Sequence, residues 1–317
     1  MAKWSPKRIA SGALCLAVVL SSSPPSRATE YGLNDYVLGL SLPMSGYTPP
    51  PGGYFWDQFY LYHGSGNLYQ NPTANTSTRI AYNFLADVVT AAWYSDVKIL
   101  GGTPGIAAVS ALVGFRNTAQ TASTNSSGAI SLNTSSGEVT SLADTYLSAI
   151  LGWEAGEHHW NVIVTGFAPT GNYNPDRLAQ TGLNRPGIDF RGAYTFLSQG
   201  GTEVSGALGL TINAVNTATN YQSGAELHFE WALNQHLSSG LAAGVGGYYY
   251  QQVTNDSGIG DAYGPFRGRV AAVGPMLSYT FKADKQQVSI GARWFHEFDV
   301  QNRVRGDSIF ASLSFPL

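Results

Sequence analysis

Apolar and polar residues alternate along several segments in the second half of the chain. In the segment AELHFEWAL (225–233), apolar side chains occupy the odd positions, and Glu226, His228 and Glu230 lie between them. The segments 203–213 and 288–295 alternate in the same way. A period of two places the two sets on opposite faces of a sheet. Such segments continue for about ten residues or more, and a tilted strand needs about 9 to 11 residues to cross a bilayer.

The alternation predicts twelve strands. They lie near residues 54–63, 80–96, 104–116, 143–153, 158–168, 187–198, 202–214, 224–234, 239–252, 266–281, 286–298 and 307–317. Tight turns alternate with longer connections, of which 117–142, 169–186 and 254–265 are the longest. Short periplasmic turns and long extracellular loops are typical of outer-membrane barrels. The pattern therefore predicts an all-β, transmembrane, antiparallel up-and-down β-barrel of about 12 strands.

Composition agrees with this fold. Charged residues make up 12% of the chain and aromatic residues another 12%, and the mean hydropathy is −0.07. A typical globular domain has about 25% charged residues. A secreted β-sandwich is the alternative that composition alone leaves open. The net charge of −3 argues against a nucleic-acid partner, which calls for a basic surface.

The N-terminal region predicts an exported protein. Lys3, Lys7 and Arg8 precede a short apolar run that ends at Leu20, and small residues follow to Ala28. We interpret residues 1–28 as a cleaved signal peptide that directs the chain to the outer membrane of a Gram-negative bacterium. Residues 29–53 are rich in proline and glycine, and we expect them to lie in the periplasm or to plug the lumen. Residues 54–317 form the predicted barrel.

Charged residues on the inward face of the strands are the first candidate site. Arginine on a lipid-facing position near the membrane centre costs about 2–4 kcal/mol, so these side chains should face the lumen. The predicted lining of a permeation path consists of Arg191, Glu203, Glu226, His228, Glu230, Arg293 and Glu297. The alternative is that Arg191 and Arg293 pair with these carboxylates and merely fill a closed core.

The stretch QQVTNDSGIGDAYGPFRGR (251–269) is the second candidate. We predict an external loop through which a ligand enters, formed by Asn255, Asp256 and Asp261 above Tyr248 and Tyr250. Tyr248 and Tyr250 face inward and are candidates for contact with an aromatic ligand. The oxygens of the loop are also of the kind that bind calcium, although their spacing does not match an EF-hand loop.

Enzyme motifs are absent from the sequence. The DSG of 256–258 offers a serine, but none of the six histidines lies in a recognisable partner motif, and there is no HExxH. His158 and His159 are adjacent on a strand and point to opposite faces, so they do not chelate one metal together. We therefore expect no enzyme activity, no cofactor and no metal.

Several stretches resemble one known family. They include GYTPPPGGYFWDQFYLY, KILGG, APTGNYNPDRLAQTGLNRPG, TNYQSGAELHFEW, GVGGYYYQQVTNDSGIGDAYG, VAAVGPMLSY and VRGDSIFASLSFPL. In this order, over nearly the whole chain after residue 28, they resemble the outer-membrane family of meta-pathway phenol degradation proteins, which are transporter-like β-barrels. The resemblance implies passive uptake of small hydrophobic or aromatic compounds across the outer membrane. A structural or adhesion barrel without transport activity is the alternative, and an outer-membrane hydrolase is a further one.

Overall fold

The computed structural model describes residues 32–71, 75–258, 267–284 and 286–317. The expected signal peptide and Asp261 lie outside these ranges. The strands are β1 (Gly52–Asn71), β2 (Thr76–Tyr94), β3 (Thr103–Thr124), β4 (Ile130–Leu142), β5 (Thr145–Ala155), β6 (His158–Ala168), β7 (Gly187–Leu197), β8 (Thr202–Asn213), β9 (Tyr221–Gln222), β10 (Glu226–His236), β11 (Leu241–Gln252), β12 (Ser257–Gly258), β13 (Arg269–Ala283), β14 (Gln286–Gln301) and β15 (Arg305–Pro316).

Twelve of these strands close into one antiparallel barrel, as the alternation predicted. Each barrel strand pairs with its neighbour along the chain, and β1 pairs with β15 from Tyr54↔Pro316 to Ser65↔Arg305. Strands β4, β9 and β12 lie outside the barrel cycle. The connections 169–186, 214–225 and 253–268 lie at one end, here called the long-loop end, together with the short connections 72–75 and 302–304; the other end, called the short-turn end, holds the connections 95–102, 156–157, 198–201, 237–240 and 284–285. No helix among the described residues is long and apolar enough to cross a bilayer.

The predicted long loop at 117–142 was wrong in one respect, because most of it is a β-hairpin. Strand β3 continues to Thr124 and pairs with β4 from Leu112↔Leu142 to Thr124↔Ile130. The Asn125 side chain stabilises the turn by accepting hydrogen bonds from the backbone N–H groups of Ser127 and Ala129. Most of β4 is exposed. Both faces of this hairpin are therefore polar, and no alternation marks it in the sequence.

Inside and outside alternate along the barrel strands. On β8, Val204, Leu208 and Ile212 are exposed, whereas Glu203 and Thr211 between them are fully buried. The exposed apolar side chains of neighbouring strands form a continuous outward belt, which is the surface that a barrel presents to lipid.

Asp57 and Asp87 are exceptions within this belt. They lie diagonally across the β1–β2 pair, where Asp57 is opposite Val89 and Asp87 is opposite Phe59. Both carboxyl groups therefore lie on the outward face of adjacent strands.

Residues 32–51 contain no β-strand and run through the interior of the barrel; we call them the lumen segment. Leu38 and Leu42 of this segment are buried in a cluster with Tyr248, Phe295 and Phe310 of the wall. The segment begins near the long-loop end and joins β1 at the short-turn end, so it threads the lumen along its whole length.

An arginine on the outward belt tests the assignment of the faces. We expect Leu208→Arg to lower the free energy of unfolding by about 2–4 kcal/mol, because the charge enters hydrocarbon. Thr202→Arg, at the short-turn end of the same strand, should cost about 0–1 kcal/mol. Urea unfolding in lipid vesicles measures both. Equal costs for the two variants would contradict the proposed belt.

Candidate functional site

Buried glutamates of the wall bind the backbone of the lumen segment. The Gly39 N–H donates to Glu230 Oε1 over 2.6 Å, and the Met44 N–H donates to Glu203 Oε1 over 2.8 Å. Both glutamates are fully buried. A chain without a strand partner must satisfy its backbone groups elsewhere. The carboxylates therefore take the place of a neighbouring strand.

Two arginines of the wall bind the same segment. Arg191 donates to the Tyr36 hydroxyl over 3.1 Å and to Ser41. Arg293 donates to the Leu40 carbonyl over 3.4 Å and to Gln58 of β1. The alternative in which these arginines pair with lumen carboxylates is not seen at ion-pair distance, since the ion pairs among the described residues include neither arginine. Their hydrogen bonds go mainly to the segment because it fills the space between the opposite walls.

His228 forms a further contact between wall and segment. Its Nε2 lies 2.8 Å from Asp189 Oδ2, and its ring stacks on Tyr36 with 3.6 Å between the ring centroids. Thr211 donates to the same Asp189 oxygen over 2.8 Å. The histidine is thus fixed on one side by a carboxylate and covered on the other by the segment.

The other two predicted lumen residues bind groups of the wall itself. Glu297 accepts hydrogen bonds from Tyr62, Tyr248 and the Gly306 N–H over 2.8, 3.0 and 2.8 Å. Glu226 accepts one from Asn213 over 2.7 Å. All seven predicted lumen residues lie on barrel strands, six of them buried and Arg191 half-buried.

The sequence analysis missed an ion pair near the long-loop end. Arg185 Nε lies 3.2 Å from Asp35 Oδ2, and both side chains are almost completely buried. Arg185 belongs to the connection between β6 and β7, and Asp35 belongs to the lumen segment. Arg303 donates nearby to Asn34 Oδ1 over 2.8 Å, and its guanidinium lies 4.3 Å from the centroid of the Tyr250 ring. These contacts connect the segment to two connections at the long-loop end.

The missed contacts do carry a sequence signal. Four leucines occur within residues 33–42, and three of them, at positions 38, 40 and 42, alternate with Gly39 and Ser41. So many apolar side chains call for a buried position. Arg185, the ion-pair partner of Asp35, has no such signal, because it lies in a proline- and asparagine-rich connection.

Gly46 brings the segment into direct contact with strand β7. A Cβ atom at this position would lie 2.4 Å from the Thr195 backbone nitrogen and 2.5 Å from the Tyr194 carbonyl carbon. The Gly46 N–H donates to the Thr195 hydroxyl over 2.9 Å. Only glycine allows this approach without a shift of the backbone.

The predicted ligand loop is only partly described. Asp256 is buried and accepts hydrogen bonds from Tyr221 Oη, the Gly224 N–H and Gln252 Nε2 over 2.5, 2.9 and 2.6 Å. Burial raises the pKa of the Asp256 carboxyl, and these three hydrogen bonds act in the opposite direction. Asp256 therefore connects the β8–β10 connection to the β11–β13 connection.

The remaining residues of this loop site lie in two separate places. Asn255 accepts a hydrogen bond from Arg267 Nε over 2.9 Å near the surface. Tyr248 and Tyr250 are buried deep in the barrel, where they pack in the same core cluster as Leu38 and Leu42. The tyrosines thus belong to the same cluster as the lumen segment. Among the described residues, no group of three His, Cys, Asp or Glu side chains is placed to hold a metal ion.

The chain is similar to one protein family and to solved outer-membrane barrels. A family model described as "Putative MetA-pathway of phenol degradation" matches residues 65–313. No curated protein matches the chain. An outer membrane channel from Pseudomonas putida F1 is 14% identical, with a TM-score of 0.61 over 86% of this chain and 98% of the channel. This similarity shows a shared fold.

Two other barrels overlap less closely. The β domain of the Bordetella autotransporter BrkA is 11% identical, with a TM-score of 0.41 over 84% of this chain and 100% of that domain. A FadL homologue from Pseudomonas aeruginosa is 9% identical, with a TM-score of 0.34 over 83% of this chain and 88% of that protein.

Loss of the Asp35 charge tests the connection at the long-loop end. Asp35→Asn removes the buried ion pair between Arg185 and the lumen segment, and breaking a buried pair costs about 3–5 kcal/mol. Amide exchange of the lumen segment should therefore accelerate about a hundredfold or more, as measured by hydrogen–deuterium exchange. Glu138→Gln is the control, because it breaks the exposed Arg116–Glu138 pair, which is worth about 0–1 kcal/mol. Equal exchange in the two variants would show that the buried pair does not hold the segment.

Proposed function

The chain belongs to the phenol-degradation family whose model it matches over residues 65–313, and from this premise we propose an outer-membrane channel for passive uptake of small hydrophobic or aromatic compounds. The signal peptide directs it to the outer membrane of a Gram-negative bacterium. The long-loop end faces the exterior, and the short-turn end faces the periplasm. The channel uses no cofactor and is not an enzyme.

The observation that carries this proposal is how the lumen is filled. A barrel built only as a solid body would fill its interior with side chains of its own strands. Here a chain segment occupies the interior, and it is attached by side-chain hydrogen bonds, without any ladder to the wall. Bonds of this kind contribute about 0.5–1.5 kcal/mol each, or about 1.5–3 kcal/mol where one partner is charged. A segment held in this way is a plug that can be displaced while the barrel stays intact.

Displacement of the lumen segment would uncover a wall whose side chains suit a path that selects among solutes. Loss of the segment would expose Glu203 and Glu230 together with Arg191 and Arg293, so the lining would carry both signs of charge. Such a lining disfavours multivalent ions of either sign and lets small neutral solutes pass. External loops joined through Asp256 supply the surface on which a solute is first captured.

A non-transporting structural or adhesion barrel is the alternative. In that case the segment is a permanent part of the core. The hydrolase alternative has the His228–Asp189 pair as its nearest feature, but Tyr36 covers the imidazole ring face. Permeation measurements separate transport from the structural alternative.

Vesicle swelling tests the channel directly. Proteoliposomes should admit small neutral aromatic solutes such as phenol faster than empty vesicles do. Gly46→Ala should increase that rate severalfold, because its methyl group displaces the segment from β7. Gly192→Ala, a substitution on β7 itself, is the matched control, because a Cβ atom at that position would have no other atom within 4 Å. Wild-type and Gly46→Ala vesicles that both behave like empty ones would refute the channel and support the structural barrel.

A further inference from the structure

The connection between β2 and β3 carries an exposed apolar patch at the short-turn end. We call residues 95–102 the apolar hairpin, in which Val97, Ile99 and Leu100 are 66, 52 and 85% exposed. Other connections at this end consist mainly of glycine and polar residues, as in 156–157, 198–201 and 237–240. Leu237 is exposed in the last of these, but it stands alone. Three exposed aliphatic side chains within four positions call for a covering partner.

The tip of the hairpin is a tight two-residue turn. Ile99 and Gly102 exchange both of their backbone hydrogen bonds, over 2.9 and 2.8 Å. Leu100 and Gly101 between them have φ angles of 50 and 76°. Left-handed φ at both positions is typical of a type I′ turn, in which asparagine, aspartate or glycine usually occupies the first position. A bulky leucine here is strained as well as exposed, which points to a role for its side chain in an external contact.

A tryptophan fixes this tip against the outside of the barrel. The Trp153 indole N–H donates to the Leu100 carbonyl over 3.1 Å. Trp153 faces outward, because a Cβ atom on its neighbour Gly152 would point inward, to within 1.9 Å of Thr48 in the lumen segment. Gly102 leaves room for the ring, since a Cβ atom there would lie 2.8 Å from the indole nitrogen. The tip therefore lies beside an outward ring and not across the mouth of the lumen.

Trp153 belongs to a band of tryptophans that marks a depth in the membrane. Its ring stacks on that of Trp160, with 6.4 Å between the ring centroids. Trp160 and Trp93 are 38 and 52% exposed on the outward face. Tryptophans in such a band lie at the boundary between membrane and water. Because Leu100 is hydrogen-bonded to this band, the tip of the hairpin lies at the same depth.

The two faces of the hairpin continue the two faces of the barrel wall. Val97 and Ile99 occupy odd positions, as does the outward Trp93 on β2. Lys98 between them donates to Thr103 Oγ1 over 2.5 Å, and Thr103 is buried on the inward face. The aliphatic side chains thus extend the outward belt beyond the end of β2, whereas the lysine turns toward the lumen mouth. Continuity with the belt identifies lipid as the partner of the apolar face.

We propose that the apolar hairpin inserts into the membrane leaflet at the short-turn end and binds lipid acyl chains through Val97, Ile99 and Leu100. Trp153 is a positioning residue that holds the tip at the interface. The patch belongs to one connection, so the barrel is anchored on the side of β2 and β3, which fixes its depth and tilt in the bilayer. This anchor requires a membrane around the barrel, but it does not depend on transport.

Fluorescent labels on the protein in lipid nanodiscs test the anchor. Discs of phosphatidylethanolamine and phosphatidylglycerol that hold one barrel each expose both membrane faces to water. With Cys15, the only cysteine, replaced by serine, an introduced cysteine carries the label. Leu100→Cys is the main variant, and Val97→Cys repeats the test where the backbone is not left-handed. Ser238→Cys is the matched control, since Ser238 is exposed in a polar turn at the same end.

The anchor predicts opposite responses to two quenchers. Lipids that carry a doxyl group near the top of the acyl chain should quench the labels at positions 97 and 100 severalfold more than the label at 238. Aqueous iodide should quench the label at 238 severalfold more than the other two. Leu208→Cys, on the outward belt, is the positive control for contact with lipid.

Labels at positions 97 and 100 that iodide reaches as readily as the label at 238 would overturn the assignment. Since a disc with one barrel contains no protein partner, that result would assign the hairpin to a protein contact instead. The quenching experiment is also independent of the channel proposal. Lipid contact without permeation through vesicles would retain the anchor and refute transport, and permeation without lipid contact would do the reverse.

Discussion

The structure depends on satisfying the backbone of a chain segment that lies inside a closed barrel. The barrel strands have used all their ladder positions on one another, so no edge remains to pair with residues 32–51. Side chains must supply the partners, and Glu203, Glu230 and Thr195 do so. This requirement explains why full burial of two glutamates is tolerated. Their carboxyl oxygens accept hydrogen bonds from the backbone of the segment.

Different interactions hold the lumen segment at the two ends of the barrel. At the long-loop end, the segment is fixed by the buried Arg185–Asp35 pair. At the short-turn end, close packing of Gly46 against β7 and the prolines before β1 hold it. The ion pair depends on the charges around it, whereas the steric contact does not.

The architecture could be predicted from the sequence to a large extent, because a barrel wall imposes a simple rule. Each strand must present apolar side chains to lipid and polar ones to the lumen, which is why Glu226, His228 and Glu230 marked both a strand and its inward face. Where both faces meet water the rule does not apply, and the β3–β4 hairpin was missed for that reason. Asp57 and Asp87 show the opposite limit, since they occupy outward positions that the rule assigns to apolar side chains.

The contacts of the lumen residues could not be predicted in the same way. Arg191 and Arg293 were expected either to line a path or to pair with carboxylates, yet they bind the lumen segment. Such contacts join residues about 150 to 250 positions apart in the chain, and no periodicity encodes them. Tyr248 and Tyr250 lie on the inward face, but their partners Leu38 and Leu42 come from a segment that forms no strand.

The central claim is that residues 32–51 close a barrel that is otherwise open. Single-channel recording in planar bilayers tests it most directly, by comparing the wild-type protein with a variant from which residues 32–51 are deleted. The account predicts closed or very small wild-type currents and a steady ohmic conductance for the deletion variant, provided that the variant still folds as a heat-modifiable barrel. A folded deletion variant with no conductance above that of the wild type would contradict it.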